Sequence, residues 1–359
     1  MKRIYFTIFN DPVYDQRMQR ICRTLAANGY EVVLIGRKTA DSVEINKDSY
    51  IQHRLLCWFS TGKLYYVEFN IRLFFFLLFK KMDIICAIDL DTIIPCYYIS
   101  VIKKIQRVYD AHELFSEMKE IVNRQRIKKF WLGVEKKYVP RFTFGYTVSQ
   151  SIAAEFSKRY TVDYAVIRNF PIKTDAAAVT PSRDIIYQGA VNEARGFEQL
   201  VPAMQQIPLC LYIYGDGNYY AQTKALIEKY DLANKVKLMG KKKPEALSII
   251  TASAYIGINL VENTGLNQYY SLANKFFDYI NAGVPQITMR FPEYKSINKQ
   301  FEVAVLIEEI TVDNIVNAFN ILNQPDTYAR LKANCFKAKE IYNWQNEEKK
   351  LVDFYRNLP

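Results

Sequence analysis

The chain has 359 residues, half of them hydrophobic, and a formal net charge of +11. That length exceeds one ordinary core and predicts two domains, and the apolar, Tyr- and Phe-rich composition excludes a disordered chain. The positive charge suits an anionic small substrate or an anionic membrane face, whereas nucleic acid is not an expected partner, because no RNP-like, zinc-finger or Arg-rich segment occurs.

Six scattered cysteines (Cys22, Cys57, Cys86, Cys96, Cys210, Cys335) without a Cys-x-x-Cys pair read as reduced thiols of a cytoplasmic protein. With His53 and His112 alone, a His-based metal site is not expected, nor is any cofactor. Lys2-Arg3 leads straight into a strand-like run, so no signal peptide is expected. Ile71 to Phe79, the most apolar run, is too short to span a bilayer.

Ile4 to Phe9 is a buried-strand pattern, Asp15 to Asn28 a helix, and Glu31 to Gly36 a second strand. This is the β-α-β opening of a doubly wound domain, without the Gly-x-Gly-x-x-Gly of nicotinamide and flavin proteins. The intervening loop offers Asp11, Asp15 and Arg17 instead. Asp15 fits a helix N-cap or a ligand contact, while Asp11, beyond the strand end, is placed for a ligand.

Residues 40–80 mix aromatic and basic side chains, among them Arg54, Trp58, Lys63, Tyr65, Tyr66, Phe69 and Arg72. They fit an amphipathic core helix ending at Lys80-Lys81, or a basic aromatic face resting on anionic lipid. Asp83 to Ile88 is a strand followed by Asp89-Leu90-Asp91, and Arg107 to Tyr109 a strand followed by Asp110-Ala111-His112-Glu113. Loops at strand carboxyl ends hold the sites of such folds. Asp89 and Asp91 suit helix capping or, less readily, a metal; His112 suits a structural hydrogen bond or a substrate contact. Trp131 to Arg141 is a basic helix, Phe144 to Ser149 a strand with a Ser cap, and Ala165 to Pro171 closes the first domain, 1–171. The irregular stretch 172–183 is the expected linker.

A second series of strands begins at Asp184 and runs to 340. Its first strand ends at Gly189, ahead of Arg195-Gly196, a candidate phosphate contact. The next, Leu209 to Tyr214, ends in Gly215-Asp216-Gly217, where backbone can approach a ligand. Strands at Lys235 to Met239 and Tyr255 to Leu260 end in Gly240-Lys241 and Val261-Glu262. Ser271-Leu272-Ala273 then turns into Asn274-Lys275 and a helix that stops at Gly283 before Pro285. A helix N-terminus with Lys275 in its first turn suits a diphosphate. Gln286 to Met289 is a short strand, and the chain ends in alternating helices. The last, within 341–359, is expected to pack back on the first domain.

These motifs, in this order, resemble the retaining glycosyltransferases of the GT-B fold, family four, the glycogen-synthase-like and mannosyltransferase-like group. The matching residues are Tyr109 to Glu113, Gly189 with Arg195-Gly196, Tyr214 to Gly217, Val236 to Gly240, and Ser271 to Tyr279 with Ala282 to Pro285. The resemblance implies an α/β protein of two Rossmann-like doubly wound domains facing across a cleft. It implies a nucleotide-diphosphate-sugar donor on the second domain and a glycan or lipid-linked acceptor on the first. Arg195 and Lys275 would bind the diphosphate, Asp278 the ribose, Gly240 and Lys241 the base, and His112 the transferred sugar. Gly189, Gly215, Asp216, Gly217, Ser271, Leu272 and Asn274 complete the expected donor set; Asp11, Asp15, Arg17, Asp89, Asp91, Asp110 and Glu113 form the expected acceptor set. Metal-independent transfer with retention is expected, in cell-surface polysaccharide or glycoconjugate synthesis. Two departures stand out: Tyr270 occupies the place of the family's first Glu, which normally touches the donor sugar, and Ala190 that of an Arg often found after the glycine. A GT-B-fold sugar-nucleotide epimerase and a non-catalytic sugar-nucleotide-binding protein remain the rival readings.

Overall fold

Apolar runs long enough to be covered on both faces build two all-parallel sheets. The computed structural model describes every residue except 41, 61 and 175–178. The chain divides into one unit of Met1–Asn169 with Glu347–Pro359, and a second of Phe170–Asn346. The stretch expected as a linker is hydrogen-bonded at both ends within the second unit, Lys173 N–H to Gln345 at 2.9 Å and Ser182 N–H to Ser253 O at 2.7 Å. Its residues 175–178 lie outside the described residues.

The first unit's strands are β1 (Arg3–Thr7), β2 (Glu31–Arg37), β3 (Ile51–Leu55), β4 (Ile84–Ile88), β5 (Gln106–Ala111), β6 (Phe144–Thr147) and β7 (Ala165–Val166). Their order is β3-β2-β1-β4-β5-β6-β7, all parallel. The winding reverses between β1 and β4, where sheets of this class hold ligands at their carboxyl edge. β3 has no counterpart in the sequence expectations, because Gln52, His53 and Arg54 break its apolar pattern at the sheet edge. β5 runs on past the expected end at Tyr109, which places Asp110 inside the sheet and not in the following loop. From the C-terminal segment, Leu351 and Tyr355 are fully buried in this unit. The Phe354 ring meets Tyr146 edge-on at 5.2 Å, and Glu347 accepts the Arg168 N–H at 2.7 Å.

The helix Gly62–Leu78 buries Phe69, Leu73 and Leu77. Its opposite face is also apolar: Leu64, Val67, Ile71 and Phe75 are exposed at helical spacing, with Phe79 beyond its end. Glu68 accepts the N–H groups of Trp58 and Phe59 and pairs with Arg72, whose guanidinium lies 4.5 Å over the Trp58 ring. Trp58 is thereby held in place although 87% exposed. Among the described residues no helix is long and apolar enough to cross a membrane.

The second unit's strands are β8 (Ile185–Gln188), β9 (Leu211–Tyr214), β10 (Val236–Gly240), β11 (Ile256–Asn259), β12 (Gln286–Met289) and β13 (Ala304–Ile307). They run parallel in the order β10-β9-β8-β11-β12-β13. β13 lies within what reads in sequence as helices only; four residues between two helices carry too little periodicity to show. The helix Asn274–Ala282 buries Phe276, Phe277, Tyr279 and Ile280 and ends at Gly283, whose φ of +70° lets the Gly283 and Val284 N–H groups close the last turn.

One close approach seats that helix. A Cβ on Gly257, in β11, would stand 2.5 Å from the Tyr279 ring. The Tyr279 hydroxyl accepts the Gln188 N–H at 3.3 Å and lies 3.2 Å from Ile258 O, so it ties the helix to β8 and β11. Gly257→Ala is predicted to destabilise the protein by about 1–3 kcal/mol through overpacking, read by urea unfolding; an unchanged midpoint would show that the ring is not confined there.

Candidate active site

β8 ends at Gln188, and the chain turns at Gly189 with φ +119°, a conformation that side-chain-bearing residues rarely adopt. The turn has company on both sides. A Cβ on Gly215, after β9, would fall 1.8 Å from Gly189 O, so the two loops pack backbone to backbone. A Cβ on Gly189 would stand 3.3 Å from Lys275 Cε and 3.5 Å from Nζ. Lys275, in the first turn of its helix, therefore reaches across to the Gly189 turn. Its Nζ is sealed from solvent and has no hydrogen-bond partner among the described residues. It lies 3.6 Å from the centre of the Tyr187 ring, and the Tyr187 hydroxyl donates to Ala190 O at 2.7 Å, holding the chain beyond the turn.

Burial pushes the Lys275 pKa well down, the nearby Arg195 pushes it further, and Asp278 offsets part of this. Arg195 follows Ala194, itself at φ +62°, and among the described residues has no ion-pair partner. Two neighbouring basic groups, with only Asp278 as a partial counter-charge and no carboxylate bonded to either, thus stand by a glycine turn at a helix N-terminus. Such an arrangement suits a polyvalent anion.

The other expected donor residues surround this point unevenly. Asp278 accepts from Gln188 Nε2 at 2.9 Å, and Gln188 Oε1 accepts in turn from Thr251. Asp216 receives the Gly217 N–H at 2.8 Å and stands 3.6 Å from Lys241 Nζ, an exposed pair joining the loops after β9 and β10. The Gly215 N–H donates to Gly240 O at 3.0 Å. Ser271 Oγ donates to Gln268 O at 2.7 Å, Leu272 is half-buried, and Asn274 is exposed. The Tyr187 floor and the Gln188 bridge are absent from the sequence expectations. In sequence both are members of an apolar strand, and only the parallel register shows what they touch.

At the carboxyl edge of the first unit the charges are matched. Arg17 Nη2 donates to Asp110 Oδ1 at 3.1 Å, and Nη1 to Ile167 O at 3.1 Å. His112 Nε2 lies 3.0 Å from both Asp110 Oδ2 and Arg17 Nε. Nε2 can serve only one of them. A buried carboxylate oxygen left without a donor is the costlier outcome, so Nε2–H donates to Asp110. Asp89 Oδ1 accepts the His112 N–H at 2.8 Å, with Oδ2 3.6 Å from Nδ1. Asp89 holds φ +52° and makes no side-chain cap, so the capping reading gives way to that contact. Burial raises the Asp91 pKa well above the usual range, helped by Asp89 and Glu113, and Asp91 Oδ1 has no partner among the described residues.

Four of the expected acceptor contacts are committed elsewhere, Asp11, Asp15 and the Arg17–Asp110 pair. Asp11 is 3% exposed, and its carboxylate accepts from Arg54 at 2.9 Å, from the Val13 N–H at 3.1 Å and from Ser42. The lone position beyond β1 that suggested a ligand is taken by a basic residue from β3, a strand hidden in the sequence. Asp15 caps the first helix, accepting the Met18 N–H at 2.9 Å. Asp110 is fully buried in the Arg17 pair. Among the described residues no cluster of three or more His, Cys, Asp or Glu side chains could hold a metal ion.

Burial disfavours the His112 cation, but Asp110 and Asp89 outweigh it and raise the pKa to about 9 from 6.5. The stability this contributes is fully present below pH 6.5 and is lost as pH rises through about 9. An NMR titration of the His112 ring is predicted to have its midpoint near 9, and thermal stability should decline across this window in the wild type but not in His112→Gln. A midpoint at or below 6.5 would rule out the carboxylate clamp.

The sequence matches two family profiles that meet end to end: Glycosyltransferase Family 4 over residues 16–170 and Glycosyl transferases group 1 over residues 171–338. No curated protein sequence matches the chain. Among solved structures, sucrose-phosphate synthase from Thermosynechococcus elongatus is similar at a TM-score of 0.81 and 18% identity, covering 99% of this chain and 98% of that one. HepE from Anabaena in complex with UDP and glucose is similar at 0.78 and 12%, covering 100% of both. WaaG, a glycosyltransferase involved in lipopolysaccharide biosynthesis, is similar at 0.72 and 13%, covering 99% of this chain and 100% of that one. Two Rossmann-like units, with the matching profiles spanning nearly the whole chain, make this protein a member of the GT-B glycosyltransferases of group 1 and family 4.

Proposed function

We propose that the protein transfers a sugar from a nucleotide-diphosphate donor to a glycan or lipid-linked acceptor, with retention and without a metal, in the synthesis of a surface polysaccharide or glycoconjugate. The observation that carries this is the sealed, unpartnered Lys275 amine beside Arg195 at the Gly189 turn. The bond from sugar C1 to the diphosphate breaks with its electron pair on the phosphate oxygen. Two cations and a helix N-terminus stabilise that charge as it grows. The acceptor oxygen bonds to C1 on the face the phosphate leaves, and its proton passes to a leaving phosphate oxygen, so no protein nucleophile takes part. Asp278 is assigned to the ribose, and the loops of Asp216 and Lys241 to the base. The HepE structure that resembles this one holds UDP and glucose, which favours a uridine diphosphate sugar as the first donor to try.

Incubation with a panel of sugar nucleotides and NMR of the products tests the reading. Transfer or donor hydrolysis supports it; 2-epimer formation would show an epimerase, and binding without turnover a non-catalytic protein. A product of inverted anomeric configuration would refute retention. Lys275→Ala is predicted to lower turnover by about two to three orders of magnitude while the fold is kept, as when one transition-state donor is lost. Wild-type turnover in that variant would overturn the phosphate assignment. Because burial and Arg195 depress the Lys275 pKa, a bound diphosphate should raise it again. Calorimetry in alkaline buffers of different ionisation enthalpy is expected to show proton uptake with UDP, and none in Lys275→Met.

An anionic bilayer is proposed as a peripheral partner. The outer face of the Gly62–Leu78 helix carries Leu64, Val67, Ile71 and Phe75, with Phe79 81% exposed and Lys63, Lys80 and Lys81 at its ends. Apolar side chains rimmed by lysines fit the boundary between acyl chains and anionic headgroups. The wild type should sediment with anionic liposomes at low salt, and Phe75→Glu/Phe79→Glu should not. No association of the wild type would remove this partner.

A further inference from the structure

Arg37 ends β2 at the carboxyl edge of the first unit's sheet. It is 6% exposed. Unlike Arg17 and Arg54 on the same edge, it meets no carboxylate among the described residues. Its Nη1 is buried without a hydrogen-bond partner, and Nε makes only a 3.4 Å contact with Lys38 O. Glu68, the nearby acid, is spent on the Trp58 and Phe59 N–H groups and on Arg72. What Arg37 does touch is aromatic: its guanidinium carbon lies 3.7 Å from the centre of the Tyr65 ring. Tyr65 meets Phe9 edge-on at 4.5 Å, and Phe9 stacks on Tyr66 at 4.3 Å. The Tyr66 hydroxyl in turn feels the charge of Asp91, whose Oδ1 is also unpartnered.

An aromatic wall therefore runs from an unmatched cation toward an unmatched acid. A ring face steadies a guanidinium but accepts none of its N–H groups in the way an oxygen does, so the desolvation of Nη1 is uncompensated until an anion arrives. We infer that Arg37 anchors an anion subsite that takes a phosphoryl or carboxylate group carried by the acceptor. This rests on the reading that the first unit holds the acceptor. Three strand spacings separate β2 from β5, so Arg37 lies on the order of 14 Å along the edge from His112. The anionic group thus belongs to a part of the acceptor remote from His112, and Arg37 selects among acceptors by charge.

The test is thermal unfolding of the full chain titrated with inorganic phosphate and, separately, with D-glucuronate. It is run in the Arg195→Met/Lys275→Met background, which silences the second unit's cations, and in Lys275→Met alone as a second background. At least one anion should raise the Tm, and adding Arg37→Met should weaken its apparent Kd about tenfold or more, with Arg37→Lys between. Without anion, Arg37→Met should unfold at the same or a higher temperature, because it removes an unpaired buried charge. Which anion binds tells phosphoryl from carboxylate. Stabilisation by neither anion, stabilisation that survives Arg37→Met, or a lower Tm of Arg37→Met with anion binding intact would each overturn the proposal. Anion binding is read without turnover, so a protein that binds phosphate through Arg37 yet turns over no sugar nucleotide keeps this subsite and loses the proposed function; the converse result does the opposite.

Discussion

The second unit is arranged around a lysine amine that the fold buries without giving it a counter-ion. An isolated buried charge is costly, and its usual remedies are a counter-ion or loss of the proton. Lys275 has neither carboxylate nor carbonyl at its Nζ, so burial and Arg195 push its pKa well down. It is kept there by geometry. The Tyr279 ring packed on Gly257 seats the helix, Gly283 ends it, and the backbone contact between Gly189 and Gly215 fixes the turn that Lys275 reaches. Each of these contacts is apolar or backbone in kind, so none can cancel the charge. Stability forgone in this way is available to a ligand that brings the missing anion.

The first unit handles charge in the opposite manner over most of its carboxyl edge. Arg17, Asp110, His112 and Asp89 form a closed set in which every cation meets a carboxylate, and Arg54 with Asp11 forms another. Closed sets of buried ions resist rearrangement, since removing one member strands the other. They suit a scaffold that holds loop backbones in place, including the φ +52° at Asp89 that the contact with the His112 N–H maintains. A histidine clamped by two carboxylates is a poor proton shuttle at neutral pH, because its cation is the stabilised form.

The fold was legible in the sequence wherever a physical requirement acts locally. Ile84–Ile88 is apolar throughout because both faces of a parallel strand are covered, and Gly189 and Gly283 mark turns because only glycine adopts those angles freely. What escaped notice depends on partners distant in sequence. β3 is polar because it is an edge strand whose Arg54 serves Asp11, more than forty residues earlier. Asp110 looks like a loop residue until Arg17, from the first helix, makes its burial tolerable and lets β5 continue through it. Tyr187 looks like core, and it is, but its ring face is also what Lys275 rests on. The candidate site was legible as a set of strand ends; which of them carry matched and which unmatched charge was not, because charge balance is a property of the assembled sheet.

That difference bears on what the second unit can recognise. The Tyr187 ring attracts an ammonium lying 3.6 Å from its centre, worth about 0.5–2 kcal/mol, yet it accepts none of the three N–H groups in the way an oxygen would. Those groups remain for acceptors on a ligand. Arg195 close by repels Lys275 in the empty protein, and a monoanion would relieve only part of that repulsion. A diphosphate, with negative charge on both phosphoryl groups, can bridge the two cations at once, so that the energy of their mutual repulsion becomes selectivity for it over singly charged anions. On the function proposed above, the same pairing would act more strongly on a leaving diphosphate than on a bound one, since charge on the bridging oxygen grows as the sugar departs. An exposed lysine, screened by water and free to turn away, would distinguish the two states far less.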